Sequence, residues 1–141
     1  MTRALRMLET HPAELGGVDP AAIVACIEEC LSCAQACTAC ADACLGDANP
    51  ERLIGCVRAN LDCADVCETT ARVVSRRSGS PDLTAALLAA CEQACRGCAA
   101  ECERHGGDHP HCAVCAEACR TCEDACQQLR EHLGTTGRAP A

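Results

Sequence analysis

The chain has 141 residues, 18 of them Cys and none Phe, Tyr or Trp; its formal net charge is −8, with 12 Arg and no Lys against 20 acidic residues. That length suits one domain, but a core drawn from Ala, Leu, Val and a little Ile is thin unless sulfur fills part of it. The acidic balance and scattered arginines, with Arg76–Arg77 the only adjacent pair, exclude a nucleic-acid-binding surface.

Residues 1–18 form an N-terminal segment in which a short helix is expected over residues 3 to 11, with Leu5 and Leu8 packing on the outside of the longer helices. Arg3, Arg6, Glu9 and Glu14 leave no apolar run long enough for the core of a signal peptide. No later stretch approaches the roughly 18 apolar residues of a membrane span. A cytoplasmic location is expected, where thiols stay reduced and clustered cysteines signal metal or redox chemistry rather than a disulfide scaffold.

Four segments of about 25 residues make up the rest, each roughly 37 Å long as a helix. Asp19–Pro20 reads as an N-cap with proline at the first helical position, and Gly46 closes that segment. Asn49–Pro50 repeats the device, and the second segment ends at the breaker Arg77–Ser78–Gly79. Ser80–Pro81 opens the third, which stops at Gly106–Gly107. The fourth begins at His109–Pro110 and ends at Gly134, leaving 134–141 as a flexible tail. Linkers this short force neighbours antiparallel, and Val and Thr are too few for a sheet. The expected fold is all-α: an up-down-up-down antiparallel four-helix bundle over residues 19–133 with a cysteine-lined core.

The cysteines follow helix period. The first segment carries Cys26, Cys30, Cys33, Cys37, Cys40 and Cys44; the second Cys56, Cys63 and Cys67; the third Cys91, Cys95, Cys98 and Cys102; the fourth Cys112, Cys115, Cys119, Cys122 and Cys126. Steps of three and four put each set on one face of its helix, the face a bundle normally fills with Leu, Ile and Val. Asn60 takes the seat in the second stripe where a cysteine is otherwise due; a polar spacer that sets register is favoured over a weak oxygen ligand.

A reduced cysteine is often just a small buried hydrophobe. Eighteen of them in a chain so poor in large apolar groups gain too little from burial for that to suffice. Disulfides within a helix fail on geometry, because Cβ atoms at i and i+4 stand about 5–6 Å apart, beyond the roughly 3.5–4.5 Å that the bond needs. The same spacing suits a metal held between two sulfurs. Eight such pairs exist, 26/30, 33/37, 40/44, 63/67, 91/95, 98/102, 115/119 and 122/126, leaving Cys56 and Cys112 to bridge across helices.

All-thiolate sites select Cu(I), Zn(II) or iron–sulfur clusters. One thiolate per Cu(I) is neutral, whereas Zn(II) with four thiolates carries −2 and is costly to stack in an apolar tube. A metallothionein-like zinc buffer stays open as an alternative. So does an iron–sulfur electron carrier, for which the C-x-x-C steps speak, although no Cys-Pro closes the run and the repeat follows helix period. No enzyme is expected: there is no Ser-His-Asp triad, no phosphate loop and no βαβ pattern around any C-x-x-C.

The antiparallel order sorts residues to two ends. Ile23, Ile27, Val73, Val74, Leu87, Leu88, Leu129 and Leu133 gather at one, as an apolar plug. The other collects Cys44, Leu53, Cys56, Cys102, His105, His109, His111 and Cys112. His105 and His109 extend the cysteine stripes by one step, so these three histidines are expected to line a mouth where metal enters. His132, in the last turn of its helix, is expected to serve the helix dipole; His11, Met1 and Met7 have no assigned role.

These stripes, from Cys26-x3-Cys30-x2-Cys33-x3-Cys37-x2-Cys40-x3-Cys44 onward, with the histidines near 105–111, make the chain similar to the bacterial copper storage proteins of the cytosolic type. The resemblance covers residues 20 to 133. It implies a four-helix bundle whose lumen holds multiple Cu(I) ions on the cysteines, with histidines at the open end, and it implies a homotetramer. Exported members carry a leader and methionines at the mouth, and the absence of both from this sequence matches the cytosolic type.

Overall fold

Short polar caps and prolines set the helix starts in the computed structural model, which describes residues 2–76 and 80–136. Helix α1 spans Arg3–Thr10, α2 Pro20–Leu45, α3 Ile54–Ser75, α4 Pro81–His105 and α5 Pro110–Thr136. The Asp19 carboxylate accepts from the Ala21 N–H at 3.0 Å, and Ser80 Oγ accepts from the Leu83 N–H at 3.4 Å. Each satisfies a donor that the first turn leaves unpaired, while Pro20 and Pro81 supply no donor there. Among the described residues there is no strand. The long helices pack in chain order and α5 closes back on α2, so the fold is the expected all-α four-helix bundle with a short N-terminal helix.

Three local expectations need correction. Pro50 opens a 3-10 turn, Pro50–Leu53, and α3 begins only at Ile54. Asn49 makes no side-chain cap; its own N–H donates to Asp47 Oδ2 at 3.0 Å. The turn buries Leu53 under the α2–α3 end. At the far end α5 passes through Gly134 to Thr136, because one glycine costs a helix only about 1 kcal/mol and no proline follows closely. The breaker Arg77–Ser78–Gly79 and residues 137–141 of the expected tail lie outside the described residues.

The third correction concerns hydropathy. Helix α2 is long and apolar enough, by length and composition alone, to cross a membrane. Its apolarity comes largely from Ala and six cysteines, and all six cysteines are buried in the bundle. A core helix passes the same test as a membrane span.

The plug forms as expected, with Ile23, Ile27, Val73, Val74, Leu88 and Leu129 buried and Leu87 and Leu133 half-buried. The N-terminal segment adds to it. Leu8 of α1 and Val18 of the following loop join the core cluster, so Leu8 is a buried contributor. The loop turns back through Gly16 and Gly17, whose φ of 63° and 85° lies in the left-handed region that glycine adopts without strain. His11, unassigned from sequence, accepts the Ala13 N–H on Nδ1 at 2.9 Å and so shapes this turn. Between α4 and α5, the buried carboxylate of Glu92 is held by Arg130, with Nη2 donating to Oε1 at 2.9 Å.

Because the plug holds much of the large aliphatic volume, metal-free stability rests on it. Leu88 is fully buried, so Leu88→Ala is expected to cost about 2–5 kcal/mol in urea unfolding of the reduced apo-protein. Leu83→Ala, at an exposed site, is expected to change it by less than about 0.5 kcal/mol.

Candidate metal centre

All 18 cysteines are free and buried. Each stripe turns inward because the four long helices present the same face to one axis, and the thiols meet there as side chains meet in any bundle. Their contacts run more between helices than along them. Of the eight i,i+4 pairs, 33/37 and 63/67 have Sγ atoms 3.8 Å apart. Across helices Cys56 and Cys102 approach to 3.5 Å, Cys67 and Cys95 to 3.6 Å, and Cys33 and Cys119 to 3.7 Å. Cys56 and Cys112, which belong to no intrahelical pair, lie 3.9 Å from each other.

These distances exclude disulfides, whose sulfurs stand about 2.05 Å apart. They match the edges of a thiolate site, since a metal–sulfur bond of about 2.3 Å gives about 3.8 Å between ligands of a tetrahedron. The sulfurs fall into compact groups with ligand atoms within 4.8 Å of one another: Cys30, Cys91, Cys122 and Cys126; Cys33, Cys37, Cys63 and Cys119; Cys33, Cys67, Cys95 and Cys122; Cys37, Cys98, Cys115 and Cys119. The groups share members. Cys33, Cys37, Cys119 and Cys122 each serve two of them, so these sulfurs suit bridging between ions rather than isolated single-ion sites.

Asn60 interrupts this lumen. It is fully buried, and its Oδ1 accepts from Cys115 at 3.0 Å and from Cys98 at 3.1 Å, while Nδ2 donates to Cys56 Sγ at 3.4 Å. An amide among thiols stands at the boundary between the deep groups and the mouth. Its hydrogen bonds satisfy a polar group that would otherwise be costly to bury.

At the mouth, Cys40, Cys44, Cys112 and His111 form a further compact group, with His111 Nε2 3.5 Å from Cys44 Sγ. His109 and His111 have ring centroids 5.8 Å apart, and His105 and His109 6.2 Å. The three imidazoles thus form a chain leading to Cys44. None is a freely solvated loop residue: His105 and His109 have side chains 21% and 23% exposed. A cleft of about 580 Å³ opens beside them, lined by Asp47, Asn49, Arg52, Leu53, His105, Asp108 and His109. His132 sits half-buried near the opposite end of α5 and is not part of the mouth. Two residues that sequence reading passed over belong here. Glu101 Oε1 lies 3.3 Å from His105 Nε2, and Asp47 Oδ1 lies 3.5 Å from His109 Nδ1.

The thiols are not equivalent in acidity. Near the mouth, burial pushes the Cys44 and Cys112 thiols up, and negative charge on Cys56 adds to it. Deeper, the sulfurs titrate as one network. Cys30 and Cys37 are held up, foremost by bonds to Cys122 and Cys115, whereas Cys33 and Cys63 are pulled down, foremost by Cys119.

Known proteins share this fold. The family model of the copper storage proteins matches residues 20–131. Among solved structures, the copper storage protein Ccsp of Streptomyces lividans, loaded with 10 copper equivalents, is 56% identical with a TM-score of 0.91, covering 92% of this chain and 99% of that one. A cytosolic copper storage protein from Streptomyces lividans with five coppers is 56% identical with a TM-score of 0.77, covering 79% and 93%. The Cu(I)-bound BsCsp3 of Bacillus subtilis is 36% identical with a TM-score of 0.68, covering 75% and 95%. No curated protein matches the chain significantly. With the family model matching residues 20–131 and relatives that share the fold at 56% identity, the chain belongs to the copper storage protein family.

Proposed function

We propose that this protein is a cytosolic copper store. It sequesters many Cu(I) ions on the thiolates of its 18 cysteines, with entry past His105, His109 and His111. The observation that carries this reading is the overlap of the four-sulfur groups, since shared sulfurs suit a multinuclear filling in which each ion is bridged to the next. One thiolate per Cu(I) keeps such a filling neutral, whereas tetrathiolate Zn(II) sites would accumulate negative charge in a buried lumen. An iron–sulfur cluster is disfavoured because the cysteines lie along helices, spread over four of them, rather than in one ligating loop. The relatives support copper and a cytosolic setting. We further propose that the protein assembles as a homotetramer, by its resemblance to the family; exposed Leu31 and Leu61 on α2 and α3 are apolar groups such an assembly would cover.

The chemistry follows from the thiols. Cu(I) binds thiolate, so each protonated cysteine must release its proton as it takes up metal, and binding weakens as pH falls. Neutral imidazoles at the mouth can hold an ion without proton release and pass it to Cys44.

Anaerobic titration of the reduced protein with Cu(I) is expected to raise a near-ultraviolet thiolate-to-metal band to saturation at many ions per chain, and gel filtration should retain them. With no Trp or Tyr, that band is free of aromatic background. Saturation at a few ions, or a preference for Zn(II) in a parallel titration, would overturn the reading. The variant with His105, His109 and His111 all changed to Ala is expected to load more slowly in stopped-flow absorbance; an unchanged rate would remove the entry role.

The thiols also set how apo-protein stability responds to alkali. Cys44 and Cys112 keep their protons in the folded state when the unfolded chain loses them near the ordinary value of 9.0. The native state then binds more protons, so stability falls as pH rises through about 9 and beyond. Thiols pulled down in the fold, such as Cys26 and Cys56, act the other way while the unfolded chain is still losing its protons near 9, and add no slope once the pH is well above that. With no Lys or Tyr, cysteine dominates titration between about pH 8.5 and 10.5. Unfolding midpoints of the reduced apo-protein are expected to drop in the upper part of this window, where only the raised thiols still set the slope, and those of the copper-loaded protein to stay level.

A further inference from the structure

The two carboxylates behind the mouth histidines share a pattern that the proposed store does not by itself require. Each has one oxygen paired with a donor and the other turned to an imidazole. Glu101 Oε2 accepts from Arg104 Nη1 at 3.0 Å, and its Oε1 lies 3.3 Å from His105 Nε2. Asp47 Oδ2 accepts from the Asn49 N–H at 3.0 Å, and its Oδ1 lies 3.5 Å from His109 Nδ1. Glu101 is also seated by the opposing helix. A Cβ on Gly55 of α3 would stand 3.0 Å from Glu101 Oε1, tighter than ordinary contact, so glycine there leaves room for the carboxylate.

We propose that Glu101 and Asp47 are positioning residues that fix which ring nitrogen each histidine offers to incoming Cu(I). A carboxylate accepts only, so the imidazole atom facing it must carry the proton. Glu101, within hydrogen-bond reach, therefore holds His105 as the Nε2–H tautomer with the Nδ1 lone pair free for metal, and Asp47, at the longer 3.5 Å, favours the Nδ1–H tautomer of His109 with Nε2 free. The two rings, side by side in one cleft, present opposite nitrogens. A neutral imidazole backed by a carboxylate is also a stronger donor to a metal and keeps its ring orientation as the ion arrives. The inference rests on the histidine entry route proposed above.

The isosteric amides make a sharp test, because they preserve shape and reverse the donor. In Glu101→Gln the amide oxygen stays on Arg104 and the NH2 faces His105 Nε2, which must then accept; the proton moves to Nδ1, the nitrogen meant for copper. Asp47→Asn does the same to His109, its oxygen staying on the Asn49 N–H. Glu103→Gln is the control. It removes the same charge two residues from Glu101, where the carboxylate pairs with Arg120 and touches no histidine.

The full-length reduced protein is mixed anaerobically with Cu(I) held in acetonitrile, and the thiolate band is followed by stopped flow. Glu101→Gln and Asp47→Asn are expected to slow the fastest phase about tenfold, with Glu103→Gln at the wild-type rate. In the His105→Ala background Glu101→Gln is expected to add nothing further. Imidazole 15N shifts of the apo-protein are expected to give Nε2–H at His105 and Nδ1–H at His109, each reversed in its amide variant. Gly55→Ala, which displaces the carboxylate, is expected to slow loading in the wild type but not in Glu101→Gln. Slow loading by His105→Ala and His109→Ala with wild-type rates for both amides would overturn the positioning role and leave the entry route standing. Wild-type rates for the two alanine variants would overturn the entry route itself. Equal slowing by Glu103→Gln would assign the effect to bulk charge and also overturn positioning, as would unreversed tautomers.

Discussion

Ordinary sulfur packing is the constraint on which the rest of the structure depends. Side chains in the core of a helix bundle settle at van der Waals contact, and here the contacting atoms are mostly thiols at 3.5–4.0 Å. That is also the separation of two ligands on one ion. The packing distance and the binding distance coincide, so a bundle assembled by helix period alone already holds its sulfurs where ions can join them. Helix register consequently does the work that ligating loops do in most metal sites. It also accounts for the missing aromatics, since a ring in any of these seats would separate sulfurs that need to be neighbours.

Small thiols bury little area each, so much of the stability has to come from elsewhere. The apolar plug, closed by Leu8 and Val18 from the N-terminal segment, supplies conventional burial. The outer surfaces of α4 and α5 add ion pairs, with Arg120 joined to Glu103 and Glu123, and Arg96 to Glu123. Such exposed pairs are individually weak and gain from forming a network. Asn60 is the polar exception inside. Its amide ties Cys56, Cys98 and Cys115 together, linking α3, α4 and α5 at one level and fixing their register while the lumen is metal-free.

Much of this was legible in the sequence, for one physical reason: helix period, proline and capping residues act locally. The cysteine stripes identify the inward faces, Asp19–Pro20 and Ser80–Pro81 mark true helix starts, and the antiparallel order alone sends His105, His109 and His111 to the same end. Most of what escaped depends on neighbours distant in the chain. The sulfur groups are built across helices, so counting i,i+4 pairs finds the ligand set but not its partners. Asp47 reads as one more loop acid until the turn at Asn49 and the start of α5 bring it to His109. Glu101 sits four residues before His105, a spacing that signals a contact only once the histidine is known to matter. The role of Gly55 has no trace in sequence at all, because the atom it makes room for belongs to another helix.

The apolar plug has a consequence for the order of events. A vessel open at one end fills and empties through the same throat. The deepest sulfurs, at Cys26 and Cys126 beside the aliphatic floor, are separated from the histidines by the length of the lumen and by the level of Asn60. On the entry route proposed above, ions reach that level by exchange from one thiolate to the next. On that route withdrawal begins with the cargo nearest the histidines, and the most buried ions form a reserve whose release depends on how far the upper levels have been drained.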